Sequence, residues 1–231
     1  MKKFFITSVG TGIGKTFITA ALCRQLKESG KNVAAFKPVI SGYDDRDDET
    51  KKNSDSAVIL KSLGLIFDDK NINMVSPYRF VAPLSPNMAA EKEGKRIEVK
   101  DLVEFCRQKE SMDADVILVE GVGGVMVPLN ESSTVMDWIK ELSGWKIILV
   151  AGSYLGSISH CLTALRGLQS VGINTDYLII NESKNSEVDL KDTVSTISNF
   201  ISVKTSIITI SYQRGYAVNP QEIIQLNGIL S

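Results

Sequence analysis

The chain has 231 residues, 43% of them hydrophobic, and a formal net charge of −1 from 26 basic and 27 acidic side chains. That much apolar material builds one α/β domain, residues 1–231, with a full core, and the balanced charge argues against wholesale binding to nucleic acid or to an anionic membrane. Three widely spaced cysteines, Cys23, Cys106 and Cys161, form no C-x-x-C pair, which reads as reduced intracellular thiols, not a disulfide frame or a zinc site.

The apolar run that begins at Phe4 stops at Val9 and meets glycines, so it is too short for a secretory h-region. No stretch approaches the ~20 apolar residues that span a bilayer. The expectation is a soluble, cytoplasmic protein.

Short apolar runs at 4–9, 33–37, 116–120, 147–151, 177–181 and 206–210 alternate with helical patterns near 15–29, 54–64, 99–110, 134–143, 157–171 and 189–201. The runs are continuous, as in strands covered on both faces. Their alternation with helices predicts a doubly wound, mostly parallel sheet in three α/β/α layers. Two stretches break the rhythm. Residues 38–53 read as a polar, charged loop, and residues 75–96 carry Pro77, Pro83 and Pro86 with no periodicity. Insertions of that length are functional or disordered.

Between the first strand and the first helix lies Gly10-Thr11-Gly12-Ile13-Gly14-Lys15-Thr16. Small residues there let successive main-chain N–H groups converge on phosphate oxygens, and the helix N-terminus adds partial positive charge. Lys15 then neutralises the β- and γ-phosphates while the Thr16 hydroxyl reaches Mg²⁺, which predicts a P-loop NTPase-like domain using ATP. The loop is a variant, with Val9 where the strict pattern has its first glycine. Lys15 stands where a dinucleotide fingerprint needs a third glycine, which disfavours a nicotinamide or flavin fold. Gly10 occupies the place of the signature lysine of partition-type ATPases, which argues against a nucleotide-switched partner-recruiting protein.

Further along the chain, Lys37 closes the second strand before Pro38; by itself a lysine there reads more often as a solvated strand end than as a site residue. Asp55, in Asn53-Ser54-Asp55-Ser56, is either a magnesium ligand or, with Ser54, a helix cap. Glu120 ends a buried strand and runs into Gly121-Val122-Gly123-Gly124. That places a carboxylate at the lip where open α/β sheets bind ligands, and Mg²⁺ takes one or two carboxylates beside the nucleotide. His160 is the only histidine, so a His-dependent triad or multi-histidine metal site is excluded.

Together these blocks resemble the dethiobiotin synthetase family in order and spacing. The phosphate loop, Phe36-Lys37-Pro38-Val39-Ile40-Ser41-Gly42, Asn53-Ser54-Asp55, Pro77-Tyr78-Arg79-Phe80, Val119-Glu120-Gly121-Val122-Gly123-Gly124 and Ile180-Asn181 carry the likeness, over roughly residues 3–182. The resemblance implies a ligase that closes a cyclic urea on 7,8-diaminopelargonic acid (diaminopelargonate), using CO₂, ATP and Mg²⁺, in biotin synthesis. It implies Lys15, Lys37 and Thr11 as catalytic residues, with Thr11, Lys37 and Ser41 facing the diamine. Nucleotide contacts would come from Gly12, Ile13, Gly14, Lys15, Thr16, Phe17, Asp55, Glu120, Gly121, Val122, Gly123 and Asn181, the last meeting the purine. Thr16, Asp55 and Glu120 would hold the metal. A homodimer is implied too, with the substrate tail near the interface around residues 154–159. The chain departs from the family pattern at Gly10, Gly12 and Tyr154, and in Ser211-Tyr212-Gln213-Arg214-Gly215, where a proline-containing segment normally closes over the base.

Overall fold

The computed structural model describes residues 1–184, 186 and 188–212. Its elements, in chain order, are β1 (Lys2–Ser8), α1 (Lys15–Glu28), β2 (Val33–Phe36), β3 (Val39–Ser41), α2 (Asp48–Lys52), α3 (Asp55–Leu63), α4 (Asp69–Val75), β4 (Tyr78–Phe80) and α5 (Pro86–Lys92). There follow α6 (Val99–Lys109), β5 (Val116–Glu120), α7 (Val135–Lys140), β6 (Lys146–Gly152), α8 (Ser157–Ser170), β7 (Tyr177–Asn181), α9 (Leu190–Ser198) and β8 (Ser206–Ile210).

The six strands read from the apolar runs form one sheet in the order β2-β5-β1-β6-β7-β8, and every pairing in it is parallel. Helices cover both faces, which is why the strands are apolar throughout. Phe5, Ile117, Val119, Leu149 and Leu178 pack toward α6, α7, α8 and α9. Their alternates Phe4, Ile6, Leu118, Ile148 and Ile179 pack toward α1 and α3. Trp138 meets Phe5 edge-on at 4.7 Å between ring centroids, in that first layer.

The chain starts at β1 in the middle of the sheet, runs out to β2 at one edge, and after β5 crosses to β6 on the other side of β1. The connections therefore diverge at the carboxyl end of β1, and a crevice at such a switch point is where open α/β sheets bind ligands.

The stretches read as irregular, 38–53 and 75–96, contain ordered elements. β3 and β4 form a separate parallel pair, with Val39, Ile40 and Ser41 opposite Tyr78, Arg79 and Phe80. Strands of 3 residues leave no periodicity to read. The short helix α2 begins at a local cap, Asp47 accepting from Glu49 N–H, and α5 begins at Pro86; α4, between the two stretches, is capped by Asp68 accepting from Asn71 N–H.

Candidate active site

The loop after β1 wraps over the N-terminus of α1. Gly14 caps that helix with φ 103°, a left-handed conformation that glycine adopts without steric cost. A side chain there would also come within 2.4 Å of Asn181 Nδ2. Asn181, at the end of β7, donates that amide to the Ile13 carbonyl at 3.0 Å. The loop is thus tied to a strand two places away in the sheet. Gly12 lies exposed at φ 75°, and Thr11 is exposed beside it. Gly124 must also be small, because an added Cβ would meet the Val9 carbonyl carbon and oxygen at 3.0 Å. This close approach seats the 121–124 turn on the phosphate loop, with the Gly123 carbonyl accepting from Ser8 Oγ at 3.1 Å.

Lys15 folds back into the loop, donating to Ser8 Oγ at 3.0 Å and to the Gly10 carbonyl at 3.4 Å. Burial, then the positive charge of Lys37, push its ammonium down to about 8. Lys37 is buried too, yet its ammonium moves the opposite way. Burial works against the charge, but Glu120 and then Asp55 more than offset it and raise the group above the ordinary lysine range. Its Nζ lies 2.6 Å from Glu120 Oε1 and 3.0 Å from Asp55 Oδ2.

Glu120 is fully buried and accepts from three side-chain donors. Oε1 accepts from Thr16 Oγ1 at 2.8 Å as well as from Lys37, and Oε2 accepts from Thr19 Oγ1 at 2.7 Å. A buried carboxylate needs such partners to stay charged. The competition at the start of α3 is also resolved. Ser54 is the cap, its Oγ accepting from Ala57 N–H at 3.1 Å, a contact typically worth ~1 kcal/mol. Asp55 is thereby released to face Lys37. Burial works against the Asp55 charge, but the Lys37 ammonium, through its charge and its hydrogen bond, holds the carboxyl below the usual carboxylate range.

The structure thus brings Lys15, Thr16, Lys37, Asp55 and Glu120 to one point at the lip of β1, β2 and β5. Gly121 continues the ladder, its N–H donating to the Ile6 carbonyl at 2.9 Å; Val122 is buried and Gly123 half-buried beside Thr11. Ser41 ends β3, half-buried, outside the carboxylate cluster. Two residues escaped the sequence reading. Thr19 sits one turn beyond Thr16 on the same helix face, which is a legible i,i+3 signal. Ser8, the last residue of β1, is a small polar end to an apolar strand.

A cavity of about 330 Å³ opens beyond the loop, lined by Gly12, Ile13, Phe17, Asn181, Tyr154 and Tyr212 among others. The Tyr154 ring is among those lining this space. Residues Gln213, Arg214 and Gly215 of the atypical segment lie outside the described residues. Another cavity, about 380 Å³, runs along the edge strand β2 from Val33 to Phe36, with Lys31, Leu65 and Met112 among its lining.

A family model described as an AAA domain matches residues 2–213. Sheet order, phosphate loop and this match together define a P-loop nucleotide-binding protein. Among solved structures, the MinD cell division protein of Aquifex aeolicus aligns with TM-score 0.55 at 18% identity, covering 92% of this chain and 83% of that one. Chloroplast FtsY of Physcomitrella patens aligns with TM-score 0.54 at 16% identity, covering 97% and 64%. Likeness at that identity shows the fold alone. The ATP-dependent dethiobiotin synthetase BioD of Acidiphilium cryptum is 43% identical over 182 residues, 78% of this chain and 80% of that one. The corresponding protein of Methylobacterium nodulans is 37% identical over 206 residues, covering 88% and 91%. The chain belongs to the dethiobiotin synthetase family. Among the described residues no helix is long and apolar enough to cross a membrane.

Proposed function

We propose that this site closes the cyclic urea of dethiobiotin on 7,8-diaminopelargonic acid, from CO₂ and ATP, in biotin synthesis. The observation that carries the reading is the lysine pair at the loop, with Lys37 locked between Glu120 and Asp55 and Lys15 turned into the phosphate cradle. One amine of the diamine adds to CO₂; a C–N bond forms, a proton leaves, and a carbamate results. A carbamate oxygen then attacks the γ-phosphorus, and the bond to the bridging oxygen of ADP breaks. The second amine attacks the carbonyl carbon of this mixed anhydride, expels phosphate and loses its proton as the ring closes.

Each residue has a part in this scheme. Main-chain N–H groups of residues 12–17 and the Lys15 ammonium hold the phosphates, where charge develops during transfer. Lys37, Thr11 and Ser41 face the carbamate and diamine, Asn181 meets the base, and Gly121 to Gly123 wall the nucleotide. Lys37 is held protonated by two carboxylates, so it stabilises anionic oxygens and does not serve as the base. The Thr16 hydroxyl and the Asp55 and Glu120 carboxylates are an all-oxygen donor set. It suits Mg²⁺, which takes one or two carboxylates and completes its shell with phosphate and water. The ion bound there would neutralise phosphate charge.

Phosphate release from Mg-ATP and bicarbonate should require the diamine. Release that is indifferent to the diamine overturns the reading. The same reading makes the protein a homodimer with the substrate tail at its interface. Leu155, 85% exposed on the turn before α8, supports an apolar contact there. Sedimentation equilibrium should give twice the 25.3 kDa of one chain; a single-chain mass at assay concentration excludes it.

A further inference from the structure

The cavity beyond the loop holds two tyrosines that no step of the chemistry uses. Tyr154 follows β6, and its ring lies against the backbone of Gly152, where an added Cβ would come 2.8 Å from Cδ1 and 2.9 Å from Cε1. Gly152 pairs in register with Asn181, so the missing side chain is what lets the ring lie beside Asn181. The phenol is tied down as well, Tyr154 Oη and His160 Nδ1 sharing a hydrogen bond at 2.8 Å. Tyr212 arrives from β8. Its N–H donates to Glu182 Oε2 at 2.7 Å, while Glu182 N–H donates to the Ile210 carbonyl at 2.8 Å. Both rings line the cavity that also contains Gly12 and Ile13, so they stand next to the phosphate cradle.

Asn181 divides its amide between these two regions. Its Nδ2 is committed to the Ile13 carbonyl, which leaves Oδ1 as an acceptor. One polar atom cannot hold a flat heterocycle, and 42% of Tyr212 is exposed, a large apolar face in water. Aromatic faces are sequence-tolerant platforms for nucleobases. We propose that Tyr154 and Tyr212 are the base-gripping residues of this site, stacking on the nucleobase of the bound ATP. This deepens the reading of Asn181 as the base contact and rests on the assignment of the loop to ATP.

The test is equilibrium binding of Mg-ATP and of Mg-tripolyphosphate, which has no base, by calorimetry. Tyr154→Ala and Tyr212→Ala are each expected to weaken ATP about tenfold, within the range stacking supplies, and to leave tripolyphosphate within about twofold. Tyr154→Phe and Tyr212→Phe, which keep the ring, should bind ATP within about threefold of the parent. Unaltered ATP binding in both alanine variants overturns the proposal. So does an equal loss for tripolyphosphate, which marks damage to the loop, or a parent that binds ATP no tighter than tripolyphosphate. Diamine-dependent phosphate release by the parent is measured on the same preparation. If that fails while the tyrosine effects hold, the enzymatic reading falls and the base grip stands; the reverse outcome separates them equally well.

Discussion

Lys37→Ala should lower diamine-dependent phosphate release about 10³-fold and also destabilise the fold by about 3 kcal/mol. The first effect follows from losing a preorganised cation at the transferring group, where a single such donor is worth about 10²–10³ in rate. The second follows from Glu120, which is fully buried and is paired with Lys37 at 2.6 Å. Removing one partner of a buried pair typically costs about 3–5 kcal/mol, because the other charge is stranded. Thr16 and Thr19 still donate to Glu120, which sets the expectation at the lower end. A second change, Glu120→Gln, removes the stranded charge, so the double variant should regain most of the lost stability while staying inactive. Denaturant unfolding and ADP binding distinguish the outcomes. A single variant as stable as the parent sinks the ion-pair argument. Loss of ADP binding in the folded Lys37→Ala single variant, in step with turnover, sinks the catalytic one.

Lys15→Met should be equally inactive yet no less stable, the opposite pattern from a residue of the same type. Burial and then Lys37 push the Lys15 ammonium down to about 8 from the ordinary lysine value of 10.5. A lysine whose folded value is lowered is penalised for its charge wherever the unfolded chain is protonated. The penalty is therefore full below about pH 8, shrinks as pH rises from there to 10.5, and is gone above that. At neutral pH it is on the order of 3 kcal/mol, set against two hydrogen bonds, to Ser8 and Gly10, typically worth ~1 kcal/mol each. Removing the ammonium should leave stability level or raised by about 1 kcal/mol. Phosphate anions restore the charge, so ADP binding above pH 8 should draw in a proton, and affinity should fall about tenfold per pH unit there. Calorimetry in buffers of different ionisation heat reads the uptake directly. Proton uptake that persists in Lys15→Met, or a clear loss of stability, refutes the assignment.

Much of the site is local and so can be read along the chain. The phosphate loop is seven consecutive residues whose sizes and charge already state their chemistry. Glu120 is announced by an apolar strand ending in an acid and glycines. Asp55 was ambiguous because Ser54 and Asp55 are both good caps, and only the hydrogen bond from Ala57 N–H to Ser54 Oγ frees the carboxylate. Thr19 went unseen because its partner Glu120 is 101 residues away, although its helix face pointed there. The β3–β4 pair is not legible along the chain because 3-residue strands carry no period, and their pairing joins residues far apart in sequence.

The alternation of apolar runs and helical patterns, and a lysine-bearing glycine loop between the first two elements, are properties of neighbouring residues, so the chain alone determined a parallel sheet with a phosphate site at its lip. Charge states are not such properties. Lys15 and Lys37 are the same side chain, and nothing adjacent to either predicts opposite shifts. Burial removes the water around both; Glu120, 83 residues from Lys37, and Asp55 then supply compensation to one and not to the other. Tyr154 and Tyr212 likewise meet at one cavity only because β6, β7 and β8 are neighbours in the sheet. Which groups share a low-dielectric space is decided by the tertiary fold, and with it which lysine is raised, which is lowered, and which rings line one cavity.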